Sequence, residues 1–104
     1  MKSISEIKKK LRACGMNIFP DETRVVGNLG VKVIPPVKNG KEYISGFFRA
    51  KQGNTAHEKR AFEKRNAAAK YLREQGFQTW TEPKSHMGGT DTVEFYLSSA
   101  RKKS

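Results

Sequence analysis

Residues 55–76 constrain the fold of this chain more than any other segment. Thr55-Ala56-His57-Glu58 has the form of a capping box, and Gly76 followed by Phe77 is a left-handed stop with its apolar partner. Between these signals the spacing predicts one helix from residue 55 to about residue 75, roughly 30 Å long. Ala61, Phe62, Ala68, Ala69 and Leu72 share one sector of its wheel, and small alanines let such a helix lie close against a sheet.

The flanking segments supply strands. Before the helix, residues 42–50 alternate as a strand, and Asn39-Gly40 is the pair a type I′ hairpin turn prefers. That turn joins them to Val31-Lys32-Val33-Ile34, an extension of a strand begun at Val25-Val26. After the helix, residues 77–82 and residues 92–97 alternate, separated by Pro83 and a Met87-Gly88-Gly89 turn. An N-terminal helix starts at a capping box, Ser3-Ile4-Ser5-Glu6, and carries Ile4, Ile7, Leu11 and Cys14 at helical spacing up to Gly15. Cys14 reads as a small core residue, and residues 17–23 read as a loop. The order is α-β-β-α-β-β: an α+β domain with an antiparallel sheet and helices packed on one face. The 104 residues suit a single domain, 1–104, ending in a short basic tail at about 99–104.

Charge says what such a domain meets. Lys and Arg number 21 against 10 Asp and Glu, a formal net charge of +11, which attracts polyanions. Hydrophobic residues make up 36% and are clustered and periodic, so a modest core forms and the chain is not a disordered polycation. The N-terminus carries no hydrophobic signal run, and a single cysteine forms no internal disulfide; the expectation is a cytoplasmic protein without a membrane segment.

The cations concentrate on the two helices. Lys59, Arg60, Lys64, Lys70 and Arg73 lie along the long one, suited to bridging phosphates or entering a duplex groove. Arg60, Lys64 and Tyr71 fall on the side away from its apolar stripe, whereas Arg65 falls near the stripe's middle and reads as a snorkelling side chain. Lys8, Lys9, Lys10 and Arg12 form the cationic face of the N-terminal helix, with Lys102 and Lys103 as a loose tether.

The sheet offers a second surface. With helices on one face, Ile44, Phe48, Ala50, Val93, Phe95 and Leu97 point to the core. Tyr43, Phe47, Arg49 and Lys51 point away, joined by Trp80 and Tyr96. Aromatics among cations suit stacking on single strands, or the apolar centre of a protein interface. They are also what satellite core under a loop looks like, and Glu42, Glu82 and Glu94, placed on the same face, oppose phosphate binding.

The nine residues from Lys64 to Leu72, KRNAAAKYL, look like the second helix of double-stranded-RNA-binding domains. The helix and hairpin that precede it are similar to that family too. No Gly-rich loop with paired lysines opens the helix, and two predicted strands follow it, so no family is assigned.

Catalysis is not indicated. His57 and His86 are isolated, Asp21, Glu22, Asp91 and Glu94 lack the spacing of a metal site, and Gly88-Gly89 lacks the strand-loop-helix context of a phosphate loop. No cofactor or metal is expected. The sequence therefore reads as a nucleic-acid-binding protein, regulatory or architectural, with duplex DNA slightly favoured over RNA. Its rivals are an inhibitor or adaptor docking on an acidic protein surface, and a single-strand RNA domain using the sheet aromatics.

Overall fold

The computed structural model describes residues 2–19, 24–27, 30–33, 41–81 and 91–102, with backbone alone for 24–27, 30–33, 41 and 102. Helix α1 (Ile4–Ala13) begins at the expected capping box. The Glu6 N–H donates to Ser3 Oγ at 3.3 Å, the Ser3 N–H donates back to Glu6 Oε1 at 3.4 Å, and the Ser3 hydroxyl donates to that carboxylate at 2.9 Å. The side-chain bond first, then the backbone bond, favours the ionised carboxyl and holds Glu6 below its ordinary 4.5. Because the folded value is the lower one, the cap stabilises above pH 4.5 and loses that contribution as pH falls through the depressed folded pKa. An NMR titration of Glu6 is expected to give a midpoint below 4.5 that Ser3→Ala moves upward. A midpoint indifferent to Ser3 would overturn this account.

At its other end α1 departs from the sequence expectation. Cys14 is exposed, not core. The last helical residue is Ala13, and Cys14 is the C-cap with φ −85° and ψ 0°, so it has already left the helical stripe. Gly15 at φ +99° then turns the chain, and Met16 takes the core position, its N–H donating to Leu11 O at 3.0 Å.

Strand β1 (Asn17–Ile18) follows within the segment expected to be a loop. Strands β2 (Arg24–Gly27) and β3 (Gly30–Val33) pair with each other in a separate two-stranded sheet. The turn expected at Asn39-Gly40 lies outside the described residues. The strand after it, β4 (Lys41–Lys51), pairs with β1 and β6 instead of β3. Helix α2 (Thr55–Glu74) comes next, then β5 (Phe77–Thr81) and β6 (Thr92–Lys102). The main sheet is antiparallel in the order β1-β4-β6-β5. Since β4 and β5 both run opposite to β6, α2 carries the chain across the sheet to its far edge, and β6 returns between them.

The long helix is capped one residue earlier than the sequence suggests. Asn54 is the N-cap, its Oδ1 accepting from the His57 N–H at 3.1 Å, while Glu58 reaches past it to the Gly53 N–H at 2.9 Å. Gly53 and Gly76 hold φ of +82° and +86° at the two ends. Ala61, Ala68, Ala69 and Leu72 are buried against the sheet, while Phe62 stays 45% exposed with its ring edge on Phe95. The helix-facing core joins Ile7, Leu11 and Met16 to Ile44, Phe48, Ala50, Phe77, Val93, Phe95 and Leu97, as the period-2 reading requires.

Residues 99–102, the first part of the expected basic tail, are strand. The β4–β6 ladder runs in register from Lys51↔Thr92 to Lys41↔Lys102. Ser99 is fully buried and its hydroxyl donates to Ile44 O at 2.6 Å. Arg101 pairs with Glu42, stacks 5.0 Å from the Phe77 ring and donates to Lys2 O at 2.9 Å. An eleven-residue β4 leaves its first half unpaired unless β6 is equally long, and that need outweighs the weak strand signal of Ser98-Ser99-Ala100. Glu42 accordingly sits on the helix side with Arg101, not on the open face. Arg101→Ala is expected to cost about 1–2 kcal/mol by stranding Glu42 and uncovering Phe77, measured by chemical denaturation. No change would restore the tail reading.

Candidate functional site

On the open face two of the four aromatics, Phe47 and Tyr96, are buried. Phe47 and Tyr96 face each other in the ladder and are both buried, with ring centroids 5.8 Å apart. Phe19 closes over them at 5.4 and 6.3 Å, positioned by its N–H on Ser45 O at 2.8 Å. Glu94, only 4% exposed, accepts from the Tyr96 hydroxyl and from Arg49 Nη2 at 2.9 Å. Arg49 also lies 5.2 Å from the Phe47 ring, so its guanidinium is engaged with the sheet. Of the six open-face residues, Tyr43 is half-buried, while Trp80 at 41% and Lys51 remain exposed. The satellite-core alternative is the one realised for Phe47 and Tyr96.

The helix cations divide among three directions. Arg73 turns toward β5, donating to Thr79 Oγ1 at 3.0 Å. Lys59 is exposed and lines neither of the two concavities described next. Arg60, Lys64 and Lys70 line two concavities beside α2. The first concavity, about 410 Å³, lies between the start of α2 and the ends of β4 and β6. Its walls include Lys51, His57, Arg60 and Lys64 over Phe48, Ala50 and Ala61. The second, about 670 Å³, runs between α1 and α2, with Lys10, Lys64 and Lys70 on its rim and Tyr71 and Leu11 inside. Lys64 lines both, so the two adjoin as one trough along the helix, cationic but for Glu74 in the second concavity.

Tyr71 and Lys10 show why the trough was only half legible. Tyr71, expected on the outer side, is half-buried against the core, because α1 lies along that flank. Lys10 Nζ sits 4.5 Å from its ring centroid, tying the cationic face of α1 to that of α2. Lys9 and Arg12 are exposed and Lys8 half-buried. His57 is exposed, as its place at a helix start beside Glu58 predicts, and its spacing with Arg60 and Lys64 (i, i+3, i+7) puts it on the first concavity.

Arg65 is the exception among the cations. It is 6% exposed, lies 4.8 Å from the Phe62 ring and 5.7 Å from Phe95, and donates to Asn66 Oδ1 at 3.2 Å. Burial lowers its pKa below the ordinary arginine value, because desolvation penalises the charged form. It does not snorkel to water; stacking between two rings replaces part of the lost hydration.

Among the described residues no group of three His, Cys, Asp or Glu is placed to hold a metal ion, and no helix is long and apolar enough to cross a membrane. The fold and the trough together define a small, strongly basic α+β domain. No protein family, no curated protein and no solved structure matches the chain.

Proposed function

We propose that this chain is a nucleic-acid-binding domain that holds phosphates along the trough beside α2, with duplex DNA preferred over RNA. The observation that supports it is the continuity of the trough: Lys51, Arg60, Lys64, Lys10 and Lys70 come from β4, α2 and α1 and line two adjoining concavities. Cations drawn from three elements and held along one helix match a repeating row of phosphates better than scattered surface lysines do. The burial of Phe47 and Tyr96 leaves little stacking surface, which favours a duplex over a single strand. Such a domain serves a regulatory or architectural role without chemistry of its own.

Anisotropy titrations with labelled duplex DNA, duplex RNA and single strands at several salt concentrations test this. If each of the five cations meets one phosphate, log affinity for duplex DNA falls with log salt at a slope of roughly −4 to −5. Binding no tighter than that of an unstructured polycation of equal charge would overturn the proposal. The exposed Trp80 favours the second reading, a protein interface. In that case Trp80→Ala abolishes partner binding and the trough substitutions are mild.

A further inference from the structure

We infer that the concavity at the start of α2 holds the phosphorylated end of a nucleic-acid strand, the terminal phosphate on its cationic rim and the attached nucleoside on its apolar floor. The inference rests on the nucleic-acid reading above and carries it from backbone contact to recognition of an end.

Shape is the first argument. Tracking phosphates along a duplex uses the row of cations along the trough and leaves the depth of its first concavity without a role. This hollow measures about 410 Å³, within the roughly 300–1,000 Å³ range of sites that enclose one small ligand. A single nucleotide fits that space and a duplex does not.

The division of chemistry is the second. The floor is made by Phe48, Ala50 and Ala61, which are 2%, 6% and 5% exposed and present a narrow apolar strip. The rim carries Lys51, His57, Arg60 and Lys64, and none of the described lining residues is acidic. A nucleotide is divided the same way, with an apolar ring face at one end and an anion at the other. A terminal phosphate monoester carries about −1.5 to −2 charges near neutral pH, against one for each internal diester. Cations converging on a hollow therefore gain more from an end than from the middle of a strand. Of the rim residues His57 lies in the first turn of α2, where the helix dipole is positive.

The test compares duplexes of one sequence whose ends carry 5′-phosphate, 3′-phosphate or hydroxyls alone, together with adenosine 5′-monophosphate and adenosine as free ligands. A phosphorylated end is expected to bind about tenfold tighter than a hydroxyl end, the worth of one charge-assisted hydrogen bond. In the Lys51→Ala, His57→Ala double variant the ratio between the two ends falls toward one. In Lys70→Ala both affinities fall and the ratio is kept, because Lys70 lines only the second concavity. The native circular dichroism spectrum of each variant is required for the comparison. Equal affinity for all ends would overturn the inference and leave the backbone-binding proposal standing. Binding of the free monophosphate but of no duplex would overturn both, assigning the hollow to a free nucleotide. Failure of every probe would also overturn both.

Discussion

Replacing Arg60 and Lys64 together by glutamate is expected to weaken duplex DNA binding by roughly 10²-fold or more. Each cation forms charge-assisted contacts worth about 1.5–3 kcal/mol, so removing two exceeds a factor of a hundred before the repulsion of two new anions is counted. Lys64 lines both concavities, and Arg60 lines the first, so the reversal interrupts the trough at its centre. The salt dependence should flatten by about two phosphate equivalents. Both side chains are exposed, so the melting temperature should hold, which separates a binding defect from unfolding. Reversal of Lys59, exposed but outside both concavities, is the matched control and should act mildly. Equal losses from both would mean that net charge, not the trough, drives association.

Gly46→Ala is expected to be the most damaging single-methyl change in the fold. A Cβ at Gly46 would stand 2.0 Å from Asn17 O and 3.0 Å from Asn17 C and Ile18 Cα, all backbone atoms of β1. No rotamer relieves that contact, because the obstacle is main chain and the added atom has no torsion. Overpacking of this kind costs about 1–3 kcal/mol, which for a domain of this size lowers the melting temperature by roughly 5–20 °C. The consequence extends past β1. Displacing it lifts Phe19 from Ser45 O and uncovers Phe47 and Tyr96, so binding of a hydrophobic dye should rise below the transition. An unchanged melting temperature would show that β1 shifts at no cost. The trough lies on the helix side, so nucleic-acid affinity at low temperature should change far less than stability.

Much of this architecture was legible in the chain. Ser3 and Glu6 capped α1 as their spacing required, and Gly15 and Gly76 closed both helices because only glycine takes a left-handed backbone without strain. Strict alternation placed Ile44, Phe48, Val93, Phe95 and Leu97 on one sheet face. The departures have two causes. Cys14 leaves the core locally, because α1 ends at Ala13 and Met16 takes the core position. Phe19 and residues 99–102 take their roles from partners distant in the chain: Ser45 O anchors Phe19, and β4 makes a strand of residues 99–102. Periodicity within a segment carries no information about what crosses it.

For the site, the sequence by itself determined its sign and its residue types. An excess of eleven positive charges with cations grouped on two helices follows from composition and wheel position alone, since charge is a property of each side chain. Which of them act together was decided only by tertiary structure. Packing α1 beside α2 brought Lys10 to Tyr71, and the meeting of α2 with α1 and with β4 set Lys51, Arg60, Lys64 and Lys70 around one trough; contact of α2 with the sheet turned Arg73 toward β5 and buried Arg65 against Phe62 and Phe95. Electrostatic focusing depends on distance and on the low-dielectric walls between charges, and both are made when the helices meet over the sheet.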